Sequence, residues 1–265
     1  MSPTCRDPNQ RRDRAGRQCR SRHWRRDHPH FGPMTLWQCA VCGFVYLDPM
    51  PSADALAAQY DSDTSDGYFA KADRKLARSK RRLRRLNKFA TSGRFLDVGC
   101  NGGFMVEAAR AAGFETIGID PDPASIDWAQ NKFPGNTFQR GTLEEFAGTS
   151  PEPFNAIYCS EVIEHVPDCN AFLDAITGMM TSGGVLYLTT PDLDHWRRPE
   201  NLDAWDAFKP PEHCLYFSAA NLIQLLEGHG VTLVHRAIAF KPGIKVIARQ
   251  KPGICDAVAF RGRSG

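Results

Sequence analysis

From residue 94 onward the apolar positions alternate between two periods. Phe95–Gly99, Thr116–Asp120, Thr137–Arg140, Phe154–Cys159 and Gly184–Thr190 are short apolar or β-branched runs, and they predict strands. Between them, Phe104–Ala112, Ala124–Lys132 and Ala171–Met180 have helical spacing, the last through Phe172, Leu173, Ile176, Met179 and Met180. Gly113 ends the first of these helices, and Ser218 suits the N-cap of a further helix running to Glu227. Val231–Arg236 and Ile244–Arg249 predict two more strands. Strands separated by single helices imply parallel pairing through right-handed crossovers. The last two are joined too tightly for a crossover and imply an antiparallel hairpin. The expected fold class is α/β: a Rossmann-like, doubly wound seven-stranded sheet, mostly parallel with a C-terminal antiparallel hairpin, plus a small N-terminal module.

Before residue 94 the pattern changes. Residues 1–34 are rich in Arg, Pro and His with few apolar positions, which predicts a disordered basic tail. An apolar island, Leu36–Leu47, follows and is closed by Pro49 and Pro51, so 35–51 is read as a small knuckle. Residues 52–92 are expected to form a helical cap or lid, with helices over 52–60 and 69–90; Leu76, Leu83 and Leu86 share one face of the second. The main domain is expected over 93–250, with a flexible tail over 251–265.

Composition narrows the function classes. Apolar content of 42% and charged content of 24% are ordinary for a globular chain of 265 residues, and the net charge of +3 implies neither nucleic acid nor membrane. Basic residues cluster in Arg6–Arg26 and Lys71–Lys88; a charge run on a helix is more often a solvated face than a nucleic-acid surface. No stretch approaches the roughly 18 apolar residues of a membrane span. The Arg-rich start has no apolar segment after it and carries Asp7, Asp13 and Asp27, so neither a secretory nor a mitochondrial leader is read there, and the cytoplasm is the expected compartment. Nine cysteines, scattered through apolar segments, suit reduced thiols.

The segment FLDVGCNGGF joins a strand directly to a helix. Gly99, Gly102 and Gly103 let the backbone turn sharply and approach a ligand, and the helix beyond offers free N–H groups. Asp120 ends the next strand, where a carboxylate can accept both hydroxyls of a ribose. The glycine spacing is not that of a dinucleotide loop, and a P-loop lysine is absent. Asp97 makes the loop acidic, which suits a cationic sulfonium cofactor without phosphates.

LDVGCNGG, IGIDPDP, YCSEVIEHVPD and GGVLYLTTPD, in this order, resemble the successive motifs of class I S-adenosylmethionine-dependent methyltransferases. The branch they resemble includes ubiquinone-biosynthesis O-methyltransferases and zinc-knuckle sugar or natural-product methyltransferases, and the likeness spans roughly residues 36–250. Asn101 departs from it, standing where the family usually has a glycine; Asn tolerates left-handed backbone better than most residues. The resemblance implies that Gly99, Asn101 and Gly103 line the amino-acid portion and ribose of S-adenosylmethionine. It places Asp120 on the ribose hydroxyls, Pro121 and Leu143 at the adenine, and Cys159 and Ser160 by the methionine portion.

Glu161, Glu164 and His165 follow the fourth strand at i, i+3 and i+4, a spacing that shares one helical face. His213 lies in a loop that also leaves the carboxyl edge of the sheet and could fold over the same cleft. Two carboxylates and two imidazoles suit a divalent cation such as Mg²⁺, Mn²⁺ or Zn²⁺. The E-x-x-E-H…H arrangement resembles that of metal-dependent small-RNA 2′-O-methyltransferases and some quinone O-methyltransferases, in which the metal binds vicinal oxygens of the acceptor. A metal-free general base at His165 or His213, or a purely structural cluster, stays open.

Cys39 and Cys42 look like one knuckle of a zinc ribbon. A structural zinc needs four ligands, and Cys19 and His23 stand at about the separation of the other half. Small buried thiols are the alternative. The reading at this point is O-methylation of a small-molecule, sugar or lipid-linked acceptor. RNA 2′-O-methylation and a non-catalytic Rossmann-like binding protein are the alternatives.

Overall fold

The computed structural model describes residues 20–28, 32–39, 42–52, Leu56, Phe69 and 71–252. The expected helix over 52–60, apart from Ser52 and Leu56, lies outside them, as do Cys19 and the tail from 253.

Eleven strands among the described residues form two sheets. The larger contains β4 (Arg94–Val98), β5 (Glu115–Asp120), β6 (Thr137–Arg140), β7 (Phe154–Ser160), β8 (Met180–Thr190), β10 (Val231–Arg236) and β11 (Ile244–Gln250). Its order is β10-β11-β8-β7-β4-β5-β6. β6, β5, β4, β7 and β8 run parallel, and the β10–β11 hairpin joins antiparallel along β8. This is the expected seven-stranded sheet. The strand order reverses between β4 and β7, so a crevice opens at the carboxyl ends of those two strands.

Local chemistry sets the helices. In α1 (Ala72–Leu86), Leu83 and Leu86 are buried against Phe95, Tyr158, Tyr187 and Ile247 on one sheet face. Its first turn carries Asp73 and its last Arg84 and Arg85, matching the helix dipole. α2 (Phe104–Arg110) starts at Gly103. α3 (Pro123–Lys132) is capped by Asp122, whose carboxylate accepts from the N–H groups of Ala124 and Ser125, with Pro at the first helical position. α4 (Leu143–Gly148) is a short helix that the apolar pattern does not announce; Thr142 and Glu145 form its capping box. α5 (Cys169–Gly178) starts two residues earlier than its apolar spacing predicts, because Asp168 caps it, and Met180 already belongs to β8. α6 (Ala219–Gly228) begins at Ser218 as expected.

The N-terminal region departs from expectation. β1 (Arg20–His28) lies inside the stretch read as a disordered tail and pairs with β2 (Gly32–Cys39), which runs from that stretch into the knuckle. With β3 (Val45–Asp48) and the two-residue β9 (Leu215–Tyr216) they form an antiparallel sheet ordered β1-β2-β3-β9. β1 is held by a backbone ladder, which leaves no mark on apolar periodicity. The knuckle is thus part of a sheet completed by a segment about 170 residues downstream.

Candidate active site at the carboxyl edge

The turn after β4 is left-handed at three positions: Gly99 (φ 70°), Asn101 (φ 45°) and Gly103 (φ 69°). A Cβ on Gly103 would lie 2.5 Å from the Phe138 ring, and one on Gly99 2.5 Å from Val162. Asn101 is stabilised locally, its Oδ1 accepting from the Gly102 N–H at 2.7 Å. Asp120 closes the turn: one carboxylate oxygen accepts from Asn101 N–H at 2.8 Å and the other from Asp122 N–H at 3.0 Å. Burial raises the Asp120 pKa, while those two N–H donors pull it back. Asp97, 2% exposed, is pushed well above the carboxylate range by burial and by the Asp120 charge, against a lowering influence from Arg82. The cradle a side chain would fill, flanked by the acidic side chains of Asp97 and Asp120, suits a phosphate-free adenosine ligand.

The other residues expected near the cofactor divide. Pro121 is half-buried beside Asp120, and Leu143 is buried at the start of α4. Cys159 is fully buried among apolar neighbours, and burial drives its thiol pKa well up. Strand alternation puts Ser160 on the opposite face with Tyr158. Ser160 belongs to a polar chain that the sequence reading misses. Arg82 Nη1 donates to Tyr158 Oη at 2.6 Å and to Ser160 Oγ at 3.1 Å. Ser160 and Thr189 hydroxyls share a 2.7 Å hydrogen bond, and Thr189 donates to Glu161 Oε1 at 2.7 Å. Only the basic run of α1 and the TTPD end of β8 hint at it.

Across the crevice, one ligand atom each from Glu164, His165 and His213 lie within 4.8 Å of one another. Glu161 is not in that group. Its φ is 58°, and Ile163–His165 is a single 3₁₀ turn, so the helical spacing expected for Glu161, Glu164 and His165 does not apply. Glu161 is exposed and turns toward Thr189 instead.

Each member of the trio is oriented by a neighbour. His165 Nδ1 is 2.9 Å from the Glu212 carbonyl and His213 Nδ1 is 2.8 Å from the Ala207 carbonyl. A carbonyl only accepts, so both Nδ1 atoms carry the proton and Nε2 holds the lone pair of each neutral ring. The rings meet edge to face with centroids 4.6 Å apart. Thr190 donates to Glu164 Oε2 at 2.9 Å, while Glu164 Oε1 is buried with no hydrogen-bond partner among the described residues. Burial pushes the His165 pKa down to about 4. Burial, with the neighbouring His165, pushes that of His213 to about 3. Burial, then the Glu161 charge, raises that of Glu164. Two neutral imidazoles with carbonyl-fixed tautomers, beside an orphaned carboxylate oxygen, have the chemistry to hold a divalent cation.

At the knuckle, Cys39 N–H donates to the Phe44 carbonyl at 2.8 Å, and Gly43 N–H to the Cys39 carbonyl at 2.9 Å. Gly43 is left-handed (φ 73°), so Cys39 and Cys42 flank a tight turn. In the β1–β2 ladder Arg20 pairs with Cys39 and His23 with Trp37.

Residues 68–236 match a protein family described as a methyltransferase domain. Human mitochondrial ubiquinone biosynthesis O-methyltransferase is 30% identical over 161 residues, which is 53% of this chain and 42% of that protein. Ubiquinone biosynthesis O-methyltransferase of Xylella fastidiosa (strain 9a5c) is 37% identical over 101 residues, 37% of this chain and 41% of that protein. The chain thus spans less than half the length of these relatives. Among solved structures, an S-adenosylmethionine-dependent methyltransferase from Mesorhizobium loti superposes with a TM-score of 0.52 at 17% identity, covering 65% of this chain and 98% of that one. A TehB-like methyltransferase from Corynebacterium glutamicum gives 0.51 at 17% identity, over 73% and 99%. At these identities the structural likeness speaks for the fold. Among the described residues, no helix is long and apolar enough to cross a membrane.

Proposed function

The chain belongs to the methyltransferase-domain family, and from that premise we propose that it transfers a methyl group from S-adenosylmethionine to a hydroxyl oxygen of a small-molecule, sugar or lipid-linked acceptor, assisted by a divalent cation. The observation that carries the cation is the orphaned, buried Oε1 of Glu164 beside two imidazoles whose Nδ1 atoms are held by backbone carbonyls.

S-Adenosylmethionine supplies an electrophilic methyl on a cationic sulfur, and a divalent cation supplies Lewis acidity that makes an acceptor hydroxyl more acidic. The work left to the chain is alignment and exclusion of water. The turn at Gly99–Gly103 and the Asp120 carboxylate hold the cofactor's ribose and amino-acid end, with Pro121 and Leu143 at the adenine and Asp97 and Ser160 toward the methionine. Glu164, His165 and His213 hold the cation, with Glu161 one step outside them. The Glu212 and Ala207 carbonyls fix the ring tautomers, and Thr190 fixes Glu164. An imidazole whose pKa lies near 3 or 4 is a poor general base at neutral pH, so the ligand role fits both rings better. The sources of ammunition for an RNA substrate are thinner: one cation of the basic helix, Arg82, points inward to Tyr158 and Ser160. Cys39 and Cys42, with His23 and with Cys19 outside the described residues, are the proposed holders of a structural zinc.

The test is methyl transfer from labelled cofactor to a panel of catechol and vicinal-diol acceptors. Labelled methyl ethers whose formation stops with a chelator and resumes with Mg²⁺, Mn²⁺ or Zn²⁺ are the expected result. Transfer indifferent to chelation refutes the cation, and failure to bind S-adenosylmethionine in calorimetry refutes the reading as a whole.

A further inference from the structure

Large apolar side chains are buried nearly everywhere in the described residues, yet Trp196, Ile238 and Phe240 are 81%, 90% and 76% exposed. They come from two loops far apart in the chain. Trp196 lies in the segment after β8, and Ile238 and Phe240 in the turn of the β10–β11 hairpin. His195 Nε2 meets the Ala239 carbonyl at 2.9 Å, so the two loops are pinned where Trp196 follows His195 and where Ile238 and Phe240 flank Ala239. Ile244 pairs with Thr190 at the end of β8, which puts the hairpin turn at the carboxyl edge, beside the candidate active site.

The surroundings of the patch are basic. Residues 231–250 contain Arg236, Lys241, Lys245 and Arg249 and no acidic residue. Lys241 and Arg236 are exposed, and the Arg197 guanidinium lies 5.4 Å from the Trp196 ring centroid. The Trp196 loop also carries exposed Asp194 and Glu200, so the positive excess comes from the hairpin. Lys245 lies close enough to Arg82, Arg85 and Arg78 of α1, and to Glu161, for their charges to act on it.

Three side chains on two convex tips make a poor protein interface, which needs roughly 800 Å² from each partner over a complementary surface. They make a good wedge for the headgroup region of a bilayer, where aromatic and aliphatic side chains insert and flanking Lys and Arg meet anionic lipid. We propose that the pinned tips at Trp196 and at Ile238 and Phe240 dock the protein peripherally on an anionic lipid surface, with the carboxyl-edge cleft beside the membrane. The inference goes beyond the proposed function and does not depend on methyl transfer.

Vesicle flotation of the full chain tests it. Vesicles containing phosphatidylglycerol should capture the protein, pure phosphatidylcholine vesicles should do so weakly, and added salt should release it. The double variant Ile238→Ser/Phe240→Ser should lower partition by at least about tenfold. Lys241→Glu, a surface charge reversal that threatens no packing, should weaken capture by the anionic vesicles alone. Unchanged S-adenosylmethionine affinity by calorimetry identifies the variants as folded. Absence of capture by anionic vesicles, or equal capture of wild type and both variants, would overturn the proposal. A wild type that is dimeric while the double variant is monomeric would overturn it too, by assigning the patch to a second copy.

Discussion

On the proposed cofactor side of the cleft, Leu143 and Ser160 apart, the assigned groups lie within one stretch of chain, Asp97 to Asp122, and most of the geometry is set by backbone. Left-handed residues turn the loop, and Asp120 ties it to the next strand through two N–H groups. On the acceptor side, the working groups are side chains from segments about 50 residues apart. They are held by carbonyls of Glu212 and Ala207 and by the Thr190 hydroxyl. A backbone-built half is insensitive to most side-chain changes but intolerant of a single Cβ. A side-chain-built half behaves in the opposite way, since each truncation removes a ligand while the fold stands.

The contrast is most exposed to failure at His213. His213→Ala should slow methyl transfer by about 10²–10⁴-fold while S-adenosylmethionine affinity stays near wild type, as for loss of a group that acts on the reacting hydroxyl. Parallel loss of cofactor affinity by calorimetry would show that the two halves are not separable. The next largest effect is expected at Gly103. Gly103→Ala combines left-handed strain with a Cβ 2.5 Å from the Phe138 ring, together about 2–4 kcal/mol, so cofactor affinity should fall by roughly 30-fold or more. Adding Phe138→Leu should recover only part, because the backbone strain remains; full recovery would mean that crowding alone mattered. Asp120→Ala should weaken the cofactor by about 1.5–3 kcal/mol through lost charged hydrogen bonds, read by the same calorimetry. The smallest effect on transfer belongs to the knuckle. Cys39→Ser should release about one equivalent of zinc, seen by metal analysis, with transfer changed by no more than about twofold. Wild-type protein that carries no zinc would leave Cys39 and Cys42 as packing residues.

The same contrast governs what could be read from the chain. Glycine at 99 and 103 is demanded by local backbone geometry, so the cofactor turn announces itself in a few letters. The parallel sheet is legible for a similar reason, each buried strand being a contiguous apolar run. Convergence across the cleft is encoded less directly. Helical spacing brings Glu161 into the expected cluster, but its left-handed φ precedes a 3₁₀ turn, and it faces Thr189. Arg82 is one of many basic residues in α1, and nothing local marks it as the one that bonds Tyr158 and Ser160. The small sheet is least legible. β1 has no apolar alternation, and β9 is two residues long, so both depend on ladders with distant partners.

That short strand also bears on the order in which the molecule assembles. β9 starts just after Cys214, the residue that follows His213, pairs with β3, and is anchored where Cys214 N–H donates to the Glu164 carbonyl at 2.9 Å and Leu47 N–H to the Cys214 carbonyl at 2.9 Å. At synthesis rates of about 5–20 residues per second, β3 waits on the order of ten seconds or more for its partner strand to emerge. The cofactor turn, with sequence-local contacts, can close early; the His213 side of the cleft, with contacts of high sequence separation, closes late. A nascent chain would therefore complete the proposed donor-binding turn before the proposed acceptor side of the cleft.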